Sequence, residues 1–365
     1  MKNTFGSHIT LTLFGESHGP AVGAVLDGLA PGMDVDEALI ASQLTLRRPA
    51  GKIGTARREE DRFQILSGVF RGKTTGTPLT ILIPNESQHS GDYEETRYLA
   101  RPGHADYTAW RKYHGFEDYR GGGHFSGRIT AALVAAGAVL LPALRRKEIW
   151  IGTHLLRCAG IQDRPFGDLE ADLDALGAME FAALDEAAGL AMRRAIEAAG
   201  EAGDSVGGIL ETAVTGLPAG LGEPWFDTAE GLLAHALFSV PAVKGVQFGE
   251  AFGMADARGS EFNDPFYMDD GTVRTVTNHN GGINGGITNG MPVLFQCMVK
   301  PTPSIYKAQK TVDFRLEEDA ELQLKGRHDP AVIHRARVVV DAVTALVIAD
   351  LLTGRYGTDY LGGRE

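Results

Sequence analysis

Residues 126–146 read SGRITAALVAAGAVLLPALRR, and this stretch decides the fold. Alanine, leucine and valine fill it without a polar stripe, so it reads as a helix buried on all sides. Its longest apolar run, Ile129 to Leu144, is expected to be too short to span a bilayer. The run contains Pro142 and is bounded by Arg128 and by Arg145-Arg146-Lys147. A second apolar helix is expected from Ala331 to Leu352, where Arg335, Arg337, Asp341 and Asp350 rule out a membrane span.

Working outward, alternating or β-branched runs predict strands at His8–Phe14, Ala21–Leu26, Thr77–Ile83, Glu148–Leu156, Val206–Thr215 and Pro292–Val299. The capping-box pattern Asp34-x-x-Glu37 opens a helix to about Arg48, and amphipathic spacing predicts helices at Leu184–Glu201 and Thr228–Ser239. Strands and helices do not alternate as a doubly wound sheet requires, so the expected class is α+β. No linker, low-complexity tract or fixed-period repeat interrupts the chain, and one domain over residues 1–365 is expected.

Hydrophobic residues make up 43% and charged residues 22%, the profile of a soluble globular protein. A net charge of -12 argues against a nucleic-acid partner, which needs a basic footprint. Two cysteines, Cys158 and Cys297, read as reduced thiols and not as a disulfide framework or zinc site; no metal is expected. The N-terminus lacks an apolar targeting segment, so the expected location is the cytoplasm, with no membrane partner. The 47 glycines cluster, which points to tight turns and close approach of backbone to a ligand.

Seven segments carry candidate chemistry. Gly15-Glu16-Ser17-His18-Gly19 follows a strand and brings His18, a proton donor or acceptor near neutral pH, to an edge; a turn with a capping His is the plain alternative. Arg47-Arg48-Pro49, Lys52 and Arg57-Arg58 offer either a helix-end charge cluster or an anion clamp. Arg101-Pro102-Gly103-His104-Ala105-Asp106-Tyr107 sets an Arg, a His and an Asp on a turn-forming backbone. Gly121-Gly122-Gly123-His124-Phe125-Ser126-Gly127-Arg128 leads into the buried helix, where amides could receive an anion; it is neither a Walker loop nor a dinucleotide fingerprint. Asn278 to Gly290 holds paired glycines and asparagines, and Lys300-Pro301-Thr302-Pro303-Ser304 follows a strand. Gly326-Arg327-His328-Asp329-Pro330 precedes the last helix, where Asp329 is either its N-cap or a carboxylate of the site.

In this order, and from Phe14 to about Leu352, these segments resemble chorismate synthase. The resemblance implies a single-domain β-α-β sandwich of antiparallel sheets around helices, assembled as a homotetramer. It implies a lyase that eliminates phosphate, 1,4-anti, from 5-enolpyruvylshikimate 3-phosphate, with reduced FMN required and no net redox change. By the same resemblance His18 protonates the departing phosphate, His104 faces the reduced flavin, and Asp329 assists removal of the C6 proton. Substrate-binding positions are Arg47, Lys52, Arg101, Ser126, Arg128 and Arg327. Flavin contacts are His124, Phe125, Ser126, Pro241, Ala242, Gly285, Lys300, Pro301, Thr302, Pro303, Ser304 and Arg327.

Two departures from the family pattern stand out: His124-Phe125 where the family has Arg-Ser, and Lys52 where many members have Arg. Backbone amides could still serve at the first; at the second a bidentate contact becomes a point charge. No dinucleotide fingerprint is visible, so NADPH enters only indirectly, through an external flavin reductase. The competing readings are a flavin-dependent oxidoreductase on an anionic substrate and a non-enzymatic flavin- or phosphate-binding protein. Three proton-transfer groups together favour an enzyme.

Overall fold

The computed structural model describes residues 2–48, 53–54, 60–86, 94, 96–324 and 329–363. Among them run eight α-helices: α1 Glu37–Arg47, α2 Asp106–Tyr113, α3 Thr130–Arg146, α4 Leu169–Ala178, α5 Glu186–Glu201, α6 Ala229–Leu237, α7 Gly259–Phe262 and α8 Ile333–Tyr356. Two five-stranded sheets carry the frame. The first has the order Thr4–Phe5, Thr10–Gly15, Ala21–Asp27, Leu79–Pro84, Gln64–Ser67. The second has the order Val243–Phe248, Val293–Val299, Gly208–Thr215, Trp150–Cys158, Ile161–Gln162. Every pairing in both is antiparallel, so the fold is the α+β sandwich expected.

The helices α3 and α8 fill the space between the sheets. α3 packs on Ala21–Asp27 and Leu79–Pro84, and α8 packs on Trp150–Cys158 and Gly208–Thr215. They pack backbone to side chain at Gly137 of α3, where a Cβ would collide with Ala342 of α8; only glycine allows this contact. The helix predicted from residue 126 opens as a 3-10 turn, Gly127–Ile129, and becomes α-helical at Thr130. The combined helix Gly127–Arg146 is in fact long and apolar enough to cross a membrane by length and composition. Its most apolar window is 89% buried within the protein, which makes it the core helix of the sandwich. The length expectation is therefore corrected and the buried-helix expectation holds.

Two carboxylates of α8 inside the sandwich are paired by the elements around them. Asp350 of α8 accepts the backbone amides of Ser7, His8 and Ile9 at 2.6–3.2 Å, tying the last long helix to the start of the chain. Asp341 of α8 accepts from Thr153 in the second sheet at 2.6 Å. Burial pushes the Asp341 carboxyl up to about 6, with Arg337 and Thr153 opposing. Cys158 and Cys297 are buried and unpaired, and burial raises both thiols, to about 11 and about 12. They are thiols of the core, as the sequence predicts.

Candidate active site

The strand Thr10–Gly15 delivers the turn that carries His18. Asn85, just past the strand Leu79–Pro84, donates its side-chain amide to the carbonyls of Glu16 (3.0 Å) and Gly19 (2.8 Å), and the Ser17 amide donates to the Gly123 carbonyl (3.1 Å). These bonds fix the turn, and His18 is 6% exposed with its Nδ1 3.0 Å from Ser17 Oγ. His124 turns back to this same strand: its Nδ1 donates to the Gly15 carbonyl at 2.7 Å. It acts as a brace for the turn. Phe125 is part-exposed and meets Tyr113 of α2 edge-on at 6.0 Å.

Gly121, Gly122 and Gly123 have φ of +58°, +83° and +51°, a backbone path that L side chains rarely follow. A Cβ on Gly121 would collide with the His18 ring. A Cβ on Gly122 would lie 3.1 Å from His104 Cε1 and 3.3 Å from His104 Nε2. The two imidazoles therefore rest against consecutive glycines of one loop. The expected anion site at the helix start is partly taken. Ser126 caps the turn with its own hydroxyl, accepting from the Arg128 amide at 3.3 Å.

Arg101, His104 and Asp106 form one cluster at the start of α2. Asp106 accepts from Arg101 Nε (2.8 Å) and Nη2 (2.6 Å), from the Arg101 backbone amide (3.0 Å), and from His104 Nδ1 (2.8 Å). Burial would raise its pKa, but Arg101 and His104 outweigh burial and hold it well below the usual carboxylate range. The loop 300–304 adjoins this cluster. Lys300 Nζ donates to the Gly103 carbonyl, and Pro303 Cβ would be 3.5 Å from a Cβ on Gly103. The Lys300 amide donates to the Ala242 carbonyl (2.9 Å), and Ser205 Oγ to the Thr302 carbonyl (2.7 Å). Thr302 Oγ1 is buried with no hydrogen-bond partner among the described residues.

A third cluster holds the arginines. Asp61, whose side chain is fully buried, accepts from Arg47 Nη2 at 2.7 Å and from Arg128 Nη1. Arg128 also donates Nε to Asn85 Oδ1 (2.8 Å) and Nη2 to the Pro84 carbonyl (3.1 Å). Burial pulls the Arg47 pKa down while Asp61 opposes it. For Asp61, the two guanidiniums outweigh burial and lower its pKa. Arg335 of α8 donates Nε to the Arg47 carbonyl (2.7 Å) and pairs through Nη1 with Asp329. Asp329 is not the cap of α8, because that helix begins at Ile333 with Val332 at the cap position and no side-chain cap bond.

Asp329 and Ser304 line one cavity of about 330 Å³, with Tyr306 and the α5 carboxylates Glu197 and Glu201. Pro241 is exposed beside Ala242. Gly285 lies elsewhere, in the turn between Ile283–Asn284 and Ile287–Thr288; its neighbour Gly286 abuts Glu223 and Thr228. Lys52 and Arg327 lie outside the described residues. Sequence reasoning did not select Asp61, Asn85 or Arg335 for the site. Asp61 and Asn85 carry no local signal, since their partners are far away in sequence; Arg335 stands six residues beyond Asp329, within reach of a helix-start ion pair.

With this geometry in view, the comparisons are specific. The family model described as chorismate synthase matches residues 9–353. A chorismate synthase of Aeropyrum pernix is 46% identical over 352 residues, covering 96% of this chain and 93% of its own. That of Thermococcus kodakarensis is 46% identical over 353 residues, covering 96% and 97%. A bacterial relative, the chorismate synthase of Dehalococcoides mccartyi, is 44% identical over 354 residues, covering 96% of both. A solved crystal structure of a chorismate synthase superposes with a TM-score of 0.76 at 28% identity, covering 97% of this chain and 94% of that one.

Proposed function

The chain belongs to the chorismate synthase family, and from that premise we propose how its residues divide the work of a carbon–oxygen lyase in aromatic biosynthesis. The reaction is the 1,4-anti elimination of phosphate from 5-enolpyruvylshikimate 3-phosphate. The C3–O bond to phosphate and the C6–H bond break, a new double bond forms, and no electrons are gained or lost overall. The observation that carries the reading is the pair of imidazoles, His18 and His104, seated on consecutive glycines of one loop.

The residues around that loop fit a phosphate-bearing planar cofactor. Gly121 and Gly122 leave no side chain between the imidazoles and the loop, Thr302 Oγ1 is a buried hydroxyl without a partner among the described residues, and Lys300 supplies a cation beside Gly103. His104, Ala242, Lys300, Thr302, Pro303 and the backbone of 124–126 would hold reduced FMN; Pro301, Ser304, Pro241 and Gly285 extend that set. Held there, a reduced flavin would supply a transient source and sink of electron density for the elimination.

The chain's own groups do the rest. His18, buried and steadied by Ser17, donates a proton to the departing phosphate oxygen. Arg47, Arg101 and Arg128, with Lys52, Ser126 and Arg327, bind the substrate's phosphate and carboxylates. Two buried guanidiniums, gathered on Asp61, present fork-shaped donors suited to an anion. Asp329, aimed by Arg335, receives the C6 proton. The protein works as a single domain, in the cytoplasm and as a homotetramer, with its flavin reduced by a separate NADPH-dependent reductase. Anaerobic release of inorganic phosphate from 5-enolpyruvylshikimate 3-phosphate with pre-reduced FMN tests this. Catalytic phosphate release with the flavin staying reduced is expected. Stoichiometric flavin oxidation would favour the oxidoreductase reading instead.

A further inference from the structure

His104 has two ring nitrogens, and the cluster around it decides which one carries the proton. Its Nδ1 stands 2.8 Å from Asp106 Oδ1 and 3.1 Å from Arg101 Nη2. Arginine can only donate, so if Nδ1 were bare it would accept from Arg101. Nδ1 and Oδ1 would then be two acceptors at 2.8 Å, a repulsive contact unless the carboxyl carried a proton. Asp106 is instead held ionised by the two-pronged grip of Arg101, at 2.6 and 2.8 Å. The shorter contact is therefore a hydrogen bond from Nδ1–H to the carboxylate. One Nη2 proton of the arginine goes to Oδ1, and because Nδ1 is protonated it offers no lone pair to the other, so Nη2 merely lies beside the ring.

We infer that Asp106 is a positioning residue: it fixes His104 as the Nδ1–H tautomer and sets the Nε2 edge of the ring against Gly122, with its lone pair toward the glycine loop on which the His18 ring also rests. The placement is over-determined. Asp106 opens α2, so its backbone is anchored by the helix, and it also accepts the Arg101 backbone amide. The next ring edge, Cε1 and Nε2, is fitted to a glycine that no other residue could replace without contact. A carboxylate behind a histidine holds the ring in one tautomer and prevents it from flipping. His104 thus presents an acceptor at Nε2, able to receive a hydrogen bond or a proton from the bound cofactor and to return it, with Asp106 stabilising the imidazolium in between. This inference rests on the lyase reading only for what lies beyond Nε2; the tautomer itself does not.

Protein labelled with ¹⁵N-histidine, with the His104 signals assigned by their loss in His104→Gln, reads the protonation of each ring nitrogen directly without substrate or flavin. The expected result in the wild type is Nδ1 protonated and Nε2 bare at a pH where the ring is neutral. Asp106→Asn should mix the two tautomers and lower turnover roughly 10- to 100-fold, the usual range for losing such a support, while the apparent KM for substrate changes little. Asp106→Glu, which keeps the charge, should recover part of both. An Nε2–H tautomer in the wild type, or an unchanged tautomer in Asp106→Asn, overturns the inference. If the wild type releases no phosphate at all, the lyase reading fails while the tautomer measurement still decides the role of Asp106.

Discussion

Asp61→Asn is the perturbation that bears most directly on the anion site. Asp61 joins Arg47 and Arg128, whose side chains are 6% and 4% exposed, and its own side chain is fully buried. Asparagine keeps the shape and one acceptor oxygen but removes the charge. Two guanidiniums then face each other in a poorly hydrated interior, and breaking a buried pair in this way costs about 3–5 kcal/mol. The sign with pH is fixed by the lowered pKa of Asp61. A carboxyl depressed in the folded state contributes stability above its unfolded pKa of about 3.9 and loses it as pH falls through the folded value. The deficit of the variant should therefore be full at pH 7 and shrink below about pH 4. Urea unfolding of both proteins at fixed concentration measures it. Inorganic phosphate offers a second reading: with one negative charge gone, the arginines should bind the ion more tightly, so phosphate should stabilise the variant more than the wild type. A variant within about 0.5 kcal/mol of wild type at pH 7, or one that phosphate fails to rescue preferentially, would refute the assignment of Asp61 as counter-ion of this pair.

Other expectations follow from the same geometry. His18→Ala should lower turnover roughly 10²- to 10⁴-fold with FMN affinity nearly unchanged, measured by phosphate release and flavin titration; full activity would remove His18 from the mechanism. Asp329→Asn should cost turnover heavily while the start of α8, which Asp329 does not cap, stays intact by circular dichroism; near-normal turnover would leave Asp329 as a mere partner of Arg335. His124→Ala loses the brace to Gly15 but no charge on the ligand, so FMN affinity should weaken by at most about 1.4 kcal/mol, one factor of ten, and show no new pH dependence between about pH 5.5 and 8.5. Asp341→Asn removes a carboxyl pushed up to about 6 by burial. A raised carboxyl contributes stability below its unfolded pKa and loses it as pH rises through the folded one. The wild type should therefore lose about 2.5 kcal/mol relative to the variant between about pH 4 and 8; a flat difference would show the carboxyl to be unperturbed.

Where the chain itself carried a strong local pattern, the elements fell within a few residues of expectation. The strand expected at Pro292–Val299 is Val293–Val299, and the helix expected at Leu184–Glu201 is Glu186–Glu201. Caps were harder. Asp34 and Asp36 both precede Glu37, and Asp36 is the one that accepts from the helix, at 2.9 Å, while Asp34 pairs with Lys73 and Arg146. The helix α2 was legible only as a turn, because its Asp-Tyr-Thr-Ala-Trp-Arg-Lys-Tyr run has a single buried residue, Ala109, and little apolar periodicity. The site divides in the same way. His18, His104 and the glycine loop announce themselves by composition, because turns that need left-handed backbone must spell out their glycines. Asp61 does not, because a counter-ion needs only to arrive in space, here 14 residues from one arginine and 67 from the other.

The grip of Asp350 on Ser7, His8 and Ile9 orders events in time as well as in space. A ribosome releases the first strands long before it has made α8, yet the edge where those strands begin has its amides answered only by that helix. The same helix also lays the apolar floor beneath Trp150–Cys158 and Gly208–Thr215. The second half of the sandwich cannot be finished early, so an emerging chain must wait with that sheet's inner face, and the side of α3 that meets α8, uncovered until nearly all of it has been synthesised. Such a nascent chain is a natural client for chaperones. A version ending before Ile333 should be digested by protease and bind hydrophobic dye, where the full chain resists both.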